Sequence, residues 1–154
     1  MEQAFVDYME RMQVLHDEIA RCVTGLSQAA LDWIPAPEMN SIGVLVAHVA
    51  GAESYWVGDV AGQEPSGRDR DAEFRTKGVD AATLLQRLTD QTAHTRAVLE
   101  RLSVDELADE RVSPRDGRIF TVAWALSHAL EHTALHTGHI QLTRQLWDAH
   151  QPTD

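Results

Sequence analysis

Four of the eight histidines in this 154-residue sequence lie within the segment HALEHTALHTGH, at residues 128–139. An α-helix advances about 100° per residue, so these four imidazoles share one face if the segment is helical. Two histidines four residues apart can bind one metal ion from the same side, because successive turns lie about 5.4 Å apart. The pattern predicts a metal site, and the alternative is that the four histidines line a hydrated subunit interface or face solvent. Spacing alone does not choose between the pair His128/His132 and the pair His132/His136.

A single straight helix presents only two such ligands comfortably, so a third ligand must come from another helix. We expect it from His48, which lies between Leu45 and Ala52 at the edge of an apolar helical stripe. His16 borders the apolar stripe of the first helix and is kept as an additional candidate ligand. His94 shares a helix face with charged residues and is expected to face solvent.

Apolar residues spaced three and four apart predict four amphipathic helices, at about residues 5–22, 41–60, 80–102 and 121–147. Gly62 is expected to form a left-handed cap at the end of the second helix. The charged segment at residues 62–78 is expected to be an exposed loop. The sequence therefore predicts an all-α protein, a four-helix bundle with long connections between helices, in a single domain covering residues 1–154.

Composition and charge exclude several classes of partner. The chain has 13 basic and 24 acidic residues and a net charge of −11, which argues against nucleic acid and against an anionic membrane surface. It contains no apolar run long enough to span a bilayer and no segment typical of a signal peptide. Its single cysteine, Cys22, excludes an intrachain disulfide and a zinc cluster of thiolates. We expect a cytoplasmic protein.

Two segments resemble the signature regions of the DinB/YfiT-like superfamily, which comprises small four-helix bundles regarded as metalloenzymes and often homodimeric. They are SIGVLVAHVAGAESYW, at residues 41–56 and preceded by LDWIPAPEMN, and HALEHTALHTGHIQL, at residues 128–142. The resemblance implies that His48, His132 and His136 are the metal ligands. The chain departs from the family pattern at Thr137, commonly arginine, and at His139, commonly glutamine.

Three neutral imidazoles leave a divalent ion its full positive charge and at least one open coordination position, as in catalytic sites. Imidazole suits zinc, nickel and iron almost equally, so the metal is undetermined. We expect Glu53, Glu131 or His139 to hydrogen-bond the ligands from outside, although carboxylates at such helix positions more often lie on the surface or pair two helices.

The resemblance implies an enzyme that activates a low-molecular-weight thiol, such as mycothiol, bacillithiol or glutathione, for reaction with an electrophilic small molecule. The resemblance implies that this thiol-dependent enzyme is an S-transferase or an isomerase. Two alternatives stay open at this point. One is a metal-dependent hydrolase that uses metal-bound water, and the other is a non-catalytic metal- or ligand-binding protein of the stress response.

Overall fold

The computed structural model describes residues 1–150. Its helices are α1 (Gln3–Val23), α2 (Gln28–Asp32), α3 (Ile42–Glu53), α4 (Arg70–Phe74), α5 (Ala81–Leu99) and α6 (Val122–His150). A π-helical segment, Ser54–Ala61, continues α3, and a 3₁₀ turn, Val104–Ala108, follows α5. Two short strands, β1 (Glu110–Val112) and β2 (Ile119–Thr121), pair antiparallel with Val112 opposite Ile119. The predicted all-α four-helix bundle is confirmed, with α1, α3, α5 and α6 as its long helices.

Helix α3 is the central helix of the bundle. Its N-cap is Ser41, whose side chain accepts a hydrogen bond from the backbone N–H of Val44. Every residue of α3 except Gly51 is buried, and the helix packs most extensively against α6 and also against α5 and α4. A helix that is apolar on all sides is expected in such a position.

Two apolar clusters hold the long helices together. One contains buried residues of α1, the π-helical segment, α5 and α6, and the other joins α1, α3, α5 and α6. In the second cluster Ile19, Val46, Leu84 and Ile140 are almost completely buried. Burying such a side chain stabilises the fold by about 1.5–3 kcal/mol. These contacts fix α3 against α6, the two helices that carry the candidate ligands.

The segment predicted to be an exposed loop at residues 62–78 contains α4, so that prediction is wrong in part. Asp69 caps the N-terminus of α4, where its side chain accepts from the backbone N–H of Ala72. Glu73 is buried and lies against α3. Its burial depends on partners from other elements, and a charged sequence segment does not indicate those partners.

The second predicted helix ends differently from expectation. It changes from α to π geometry at Ser54, and Gly62 has a φ of −85°, so the predicted left-handed cap is wrong. Gln63 adopts the left-handed conformation instead, with a φ of 54°. A Cβ atom on Gly62 would lie 2.7 Å from the side chain of Val98, so this glycine allows close packing against α5. Among the described residues, no helix combines the length and apolar character needed to cross a bilayer.

Candidate metal centre

His48 on α3 meets His132 and His136 on α6. Each offers one ring nitrogen, and these three atoms lie within 4.8 Å of one another. The Nε2 atoms of His48 and His132 are 3.2 Å apart. The ring of His136 lies 4.4 Å from that of His132 and 5.0 Å from that of His48, between centroids. The structure thus brings together the three histidines that the family resemblance singles out.

The donor set suits a divalent transition metal. Four ligands around zinc at about 2.0–2.1 Å lie about 3.3 Å from one another in a tetrahedron, close to the His48–His132 separation. Three imidazole nitrogens would leave one of the four positions for another molecule. Which metal these residues prefer is not fixed by imidazole chemistry alone.

Two of the imidazoles are held in the neutral form that metal binding requires. The pKa of His132 is lowered to about 3, chiefly by burial and further by the charges of His136, His48, His128 and Arg68. Burial also lowers the pKa of His136 to about 4, with contributions from His48 and His139. Both rings are therefore neutral at neutral pH, and a neutral imidazole keeps one nitrogen lone pair with which it can bind a cation.

Glu73 orients the third imidazole. Oε2 of its carboxylate lies 2.9 Å from Nδ1 of His48, and Arg68 donates from Nε to Oε1 at 2.5 Å and from Nη2 to Oε2 at 2.8 Å. Burial alone would raise the pKa of Glu73, but hydrogen bonds from Arg68 and His48 outweigh it and the pKa is lowered. The carboxylate accepts Nδ1–H of His48, so the lone pair of Nε2 faces His132.

Two further histidines of α6, His128 and His139, lie beside the three-histidine cluster. The ring of His128 stacks on Trp124 and lies 6.0 Å from that of His132, between centroids. Nδ1 of His139 is 3.3 Å from Nδ1 of His136, so His139 adjoins one ligand candidate. Nδ1 of His132 is buried without a hydrogen-bond partner among the described residues.

Glu53 does not contact His48, contrary to the sequence-based expectation. Five residues along a helix turn the side chain by about 500°, which places the two about 140° apart. Glu53 instead lies 2.8 Å from Nε2 of His16 and accepts a hydrogen bond from Thr95 at 2.6 Å. Nδ1 of His16 is 2.8 Å from the hydroxyl of Thr92, so both ring nitrogens of His16 are engaged away from the cluster.

Glu131 also lies apart from the three-histidine cluster. Its side chain is 80 % exposed, and the nearest histidine nitrogen is Nδ1 of His128, at 3.7 Å. His94, expected in solvent, is partly exposed and lies 3.5 Å from Glu64. Glu73 takes the position expected of Glu53 or Glu131. No motif in a single sequence distinguishes Glu73 from the other acidic residues of its segment.

A cavity of about 320 Å³ opens beside the cluster. Its floor includes His48 and His132, and aromatic walls are provided by Trp56 and Trp124. We call it the arginine pocket, because its lining also includes four arginines, Arg68, Arg70, Arg115 and Arg118.

The profile of the mycothiol S-transferase family matches residues 9–149, almost the whole chain. The chain belongs to the mycothiol S-transferase family. This membership and the structural comparisons confirm the resemblance to the DinB/YfiT-like superfamily. No curated protein sequence matches the chain at a significant level.

Solved structures share the fold of this family member. YfiT from Bacillus subtilis, described as a probable metal-dependent hydrolase with an unusual four-helix bundle topology, has a TM-score of 0.72 and 16% identity, over 96% of this chain and 90% of its own. A DinB-like protein from Bacillus cereus has a TM-score of 0.74 and 15% identity, over 92% and 91% of the two chains. A mycothiol-dependent maleylpyruvate isomerase has a TM-score of 0.64 and 15% identity, over 87% of this chain and 59% of its own.

Proposed function

We propose that this protein is a metal-dependent thiol S-transferase that joins a low-molecular-weight thiol to an electrophilic small molecule. His48, His132 and His136 hold a divalent ion, and mycothiol is the thiol that family membership favours. One observation carries the proposal. In a chain of the mycothiol S-transferase family, three imidazole nitrogens converge from two helices beside an open pocket.

When bound there, a divalent ion supplies positive charge that lowers the pKa of a nearby thiol and favours the thiolate, the reactive form. The protein's own residues hold that charge in place. Glu73 and Arg68 fix the ring of His48, while His132 and His136 add no negative charge, so the site stays cationic. No protein nucleophile is required by this chemistry.

The reaction is a nucleophilic substitution. The thiol sulfur forms a bond to the electrophilic carbon, the leaving group departs with its bonding electron pair, and the thiol proton passes to solvent. The role of Trp56 and Trp124 is to cover the reacting groups on one side, because both line the arginine pocket and their rings lie 5.2 Å apart, between centroids. A cavity of about 320 Å³ matches the small end of the range for small-molecule sites.

The test uses protein purified without a histidine tag and loaded with zinc, nickel or iron(II). Mycothiol and 1-chloro-2,4-dinitrobenzene are mixed with the protein, and formation of the thioether is followed by absorbance. We expect turnover that a chelator abolishes. The variants His48→Ala, His132→Ala and His136→Ala should each lose both the bound metal and the turnover. His94→Ala, which lies outside the cluster, should retain both.

Other outcomes would overturn the proposal. Hydrolysis of an activated ester without thiol, sensitive to the same three substitutions, would favour a metal-dependent hydrolase. Stoichiometric metal binding without turnover on either substrate would favour a binding protein. Equal metal content in all four variants would show that the three histidines are not the ligands.

The same proposal includes the homodimer that the family resemblance implies. Helix α6 exposes Leu135, Leu142 and Leu146, each more than a third accessible, and such neighbouring apolar side chains suit a contact between copies. Light scattering coupled to size-exclusion chromatography should give twice the monomer mass of 17.1 kDa, and a monomeric mass would contradict this part.

A further inference from the structure

The arginine pocket concentrates positive charge in an acidic protein. Four of the 13 basic residues line this one cavity, although the chain as a whole carries a net charge of −11. Two carboxylates pair with these arginines, Glu73 with Arg68 and Asp116 with Arg118. Four guanidinium groups against two carboxylates leave an excess of two positive charges beside the three-histidine cluster.

Two of the four arginines keep donors for a ligand. Arg68 is committed to Glu73 through two hydrogen bonds, and Arg118 donates to Asp116 at 2.9 Å. Arg70 lies 4.7 Å above the ring of Phe74 and has no carboxylate partner within the part of the chain that the structure describes. Arg115 approaches Asp116 only at 3.6 Å, too far for a hydrogen bond.

Packing holds the Arg115 side of the pocket in place. The guanidinium of Arg115 lies over the ring of Tyr55, 5.4 Å from its centroid, and the hydroxyl of Tyr55 is 2.5 Å from that of Ser113. Ser113 donates to Asp116 at 2.6 Å. The β1–β2 turn is therefore tied to the π-helical segment, and this places Arg115, whose side chain is half exposed, at the pocket.

We propose that the arginine pocket binds a carboxylate or phosphate group carried by the electrophile, so that the preferred substrates are anionic electrophiles. The reaction of such a substrate rests on the proposed function, whereas binding of the anion does not. Guanidinium is the protein group best suited to these planar or tetrahedral oxyanions. Mycothiol carries neither a carboxylate nor a phosphate, which assigns the anionic group to the electrophile.

The test compares two probes that differ in charge and share one electrophilic carbon, 4-chloro-3-nitrobenzoate and 4-chloro-3-nitrobenzamide. Dissociation constants are measured by titration calorimetry on metal-free protein, so that neither activity nor binding to a metal contributes. We expect the benzoate to bind at least tenfold more tightly than the benzamide. High salt should remove most of the difference, since the pocket is open to solvent.

Matched variants locate the binding site. Arg70→Gln and Arg115→Gln should each weaken benzoate binding about tenfold, the loss expected for one hydrogen bond to a charged group, and leave benzamide binding unchanged. Arg11→Gln removes the same charge from an exposed position on α1 and should change benzoate binding less than about twofold. Arg68 is left intact because it holds Glu73.

The outcomes separate this inference from the proposed function. Equal affinity for the two probes, or equal loss in all three arginine variants, would overturn the anion site. In the metal-loaded protein with mycothiol, kcat/KM divided by the rate constant of the uncatalysed reaction should favour the benzoate by a similar factor. Selective benzoate binding without any thioether formation would sustain the anion site and contradict the proposed function instead.

Discussion

Position 51 cannot carry a side chain while Glu73 keeps its place. A Cβ atom on Gly51 would lie 2.0 Å from Oε1 of the Glu73 carboxylate, far inside van der Waals contact. That carboxylate accepts the hydrogen bond of His48 and the paired hydrogen bonds of Arg68. A backbone position on α3 thus sets how closely the orienting carboxylate approaches the three-histidine cluster.

Gly51→Ala should therefore displace Glu73 and weaken zinc binding about tenfold or more, the loss typical of a disturbed partner of a metal ligand. Gly138→Ala on α6 is the matched control, because a Cβ there would meet no atom within 4 Å outside its chain neighbours and the adjoining helix backbone. It should stabilise the protein by about 0.4–1 kcal/mol and leave zinc affinity unchanged. Competition titration with a chromogenic chelator measures the affinity. Equal affinity in both variants would contradict the role of Gly51.

Glu73→Gln should weaken zinc binding about 10–100-fold, because the amide no longer holds Nδ1–H of His48 as a charged acceptor. Glu131→Gln removes one carboxylate from the exposed face of α6 and should have no effect on zinc affinity. The two variants distinguish a carboxylate that contacts a ligand from one that is only near it in sequence. A larger loss in Glu131→Gln than in Glu73→Gln would reverse this assignment.

The metal-free protein should lose stability in mild acid. The pKa of His132 is lowered to about 3 and that of His136 to about 4, whereas both return to about 6.5 on unfolding. Between these values the unfolded chain binds more protons, so the free energy of unfolding falls as the pH falls from about 6.5 toward 4. Urea denaturation at several pH values measures the slope.

A substitution that removes one of these imidazoles should flatten this pH dependence. We expect His132→Gln to lose less stability than the wild type between neutral pH and pH about 4.5, because one lowered pKa is gone. His94→Gln, outside the cluster, is the comparison. A wild-type slope retained in His132→Gln would show that another group carries the acid sensitivity.

The buried pair of His16 and Glu53 should matter for stability and not for metal binding. Replacing one partner leaves the other buried without its counterpart, and His16→Leu should destabilise the metal-free protein by about 3–5 kcal/mol. The double variant His16→Leu with Glu53→Leu should recover part of that loss, since apolar side chains replace the whole pair. Thermal and urea unfolding measure the free energy of unfolding of the wild type, the two single variants and the double variant. If the losses of the single variants add up to that of the double variant, the two residues do not interact.

Most of the fold follows from local patterns in the sequence. The apolar periodicity of residues 5–22 and 80–102 corresponds to α1 and α5, and Ser41 caps α3 as its residue type and place predict. Apolar periodicity and helix capping depend only on residues within about one helical turn of each other. The π-helical segment Ser54–Ala61 packs against both α6 and α5, and Gly62 lies close to Val98. Local sequence patterns contain no information about such long-range contacts.

The candidate site was partly visible for the same reason. The four-residue spacing of His132 and His136 is a property of one helix, and the place of His48 beside an apolar helical stripe indicates it as the third candidate. The choice of this pair over His128 and His132 comes from the family resemblance. The binding of metal by these three stays a prediction. The sequence does not indicate Glu73, because its partners Arg68 and His48 lie 5 and 25 residues away. In a single sequence, a carboxylate that becomes buried cannot be distinguished from an exposed one.

The distances within the three-histidine cluster are set in two different ways. The span between His132 and His136 is dictated by the pitch of α6, while the reach of His48 depends on how far α3 sits from α6. Interior side chains such as Val46 and Ile140 act as spacers between those helices. Substitutions among these buried apolar side chains should therefore alter the distance from His48 to His132 and His136 without any change to the three histidines themselves.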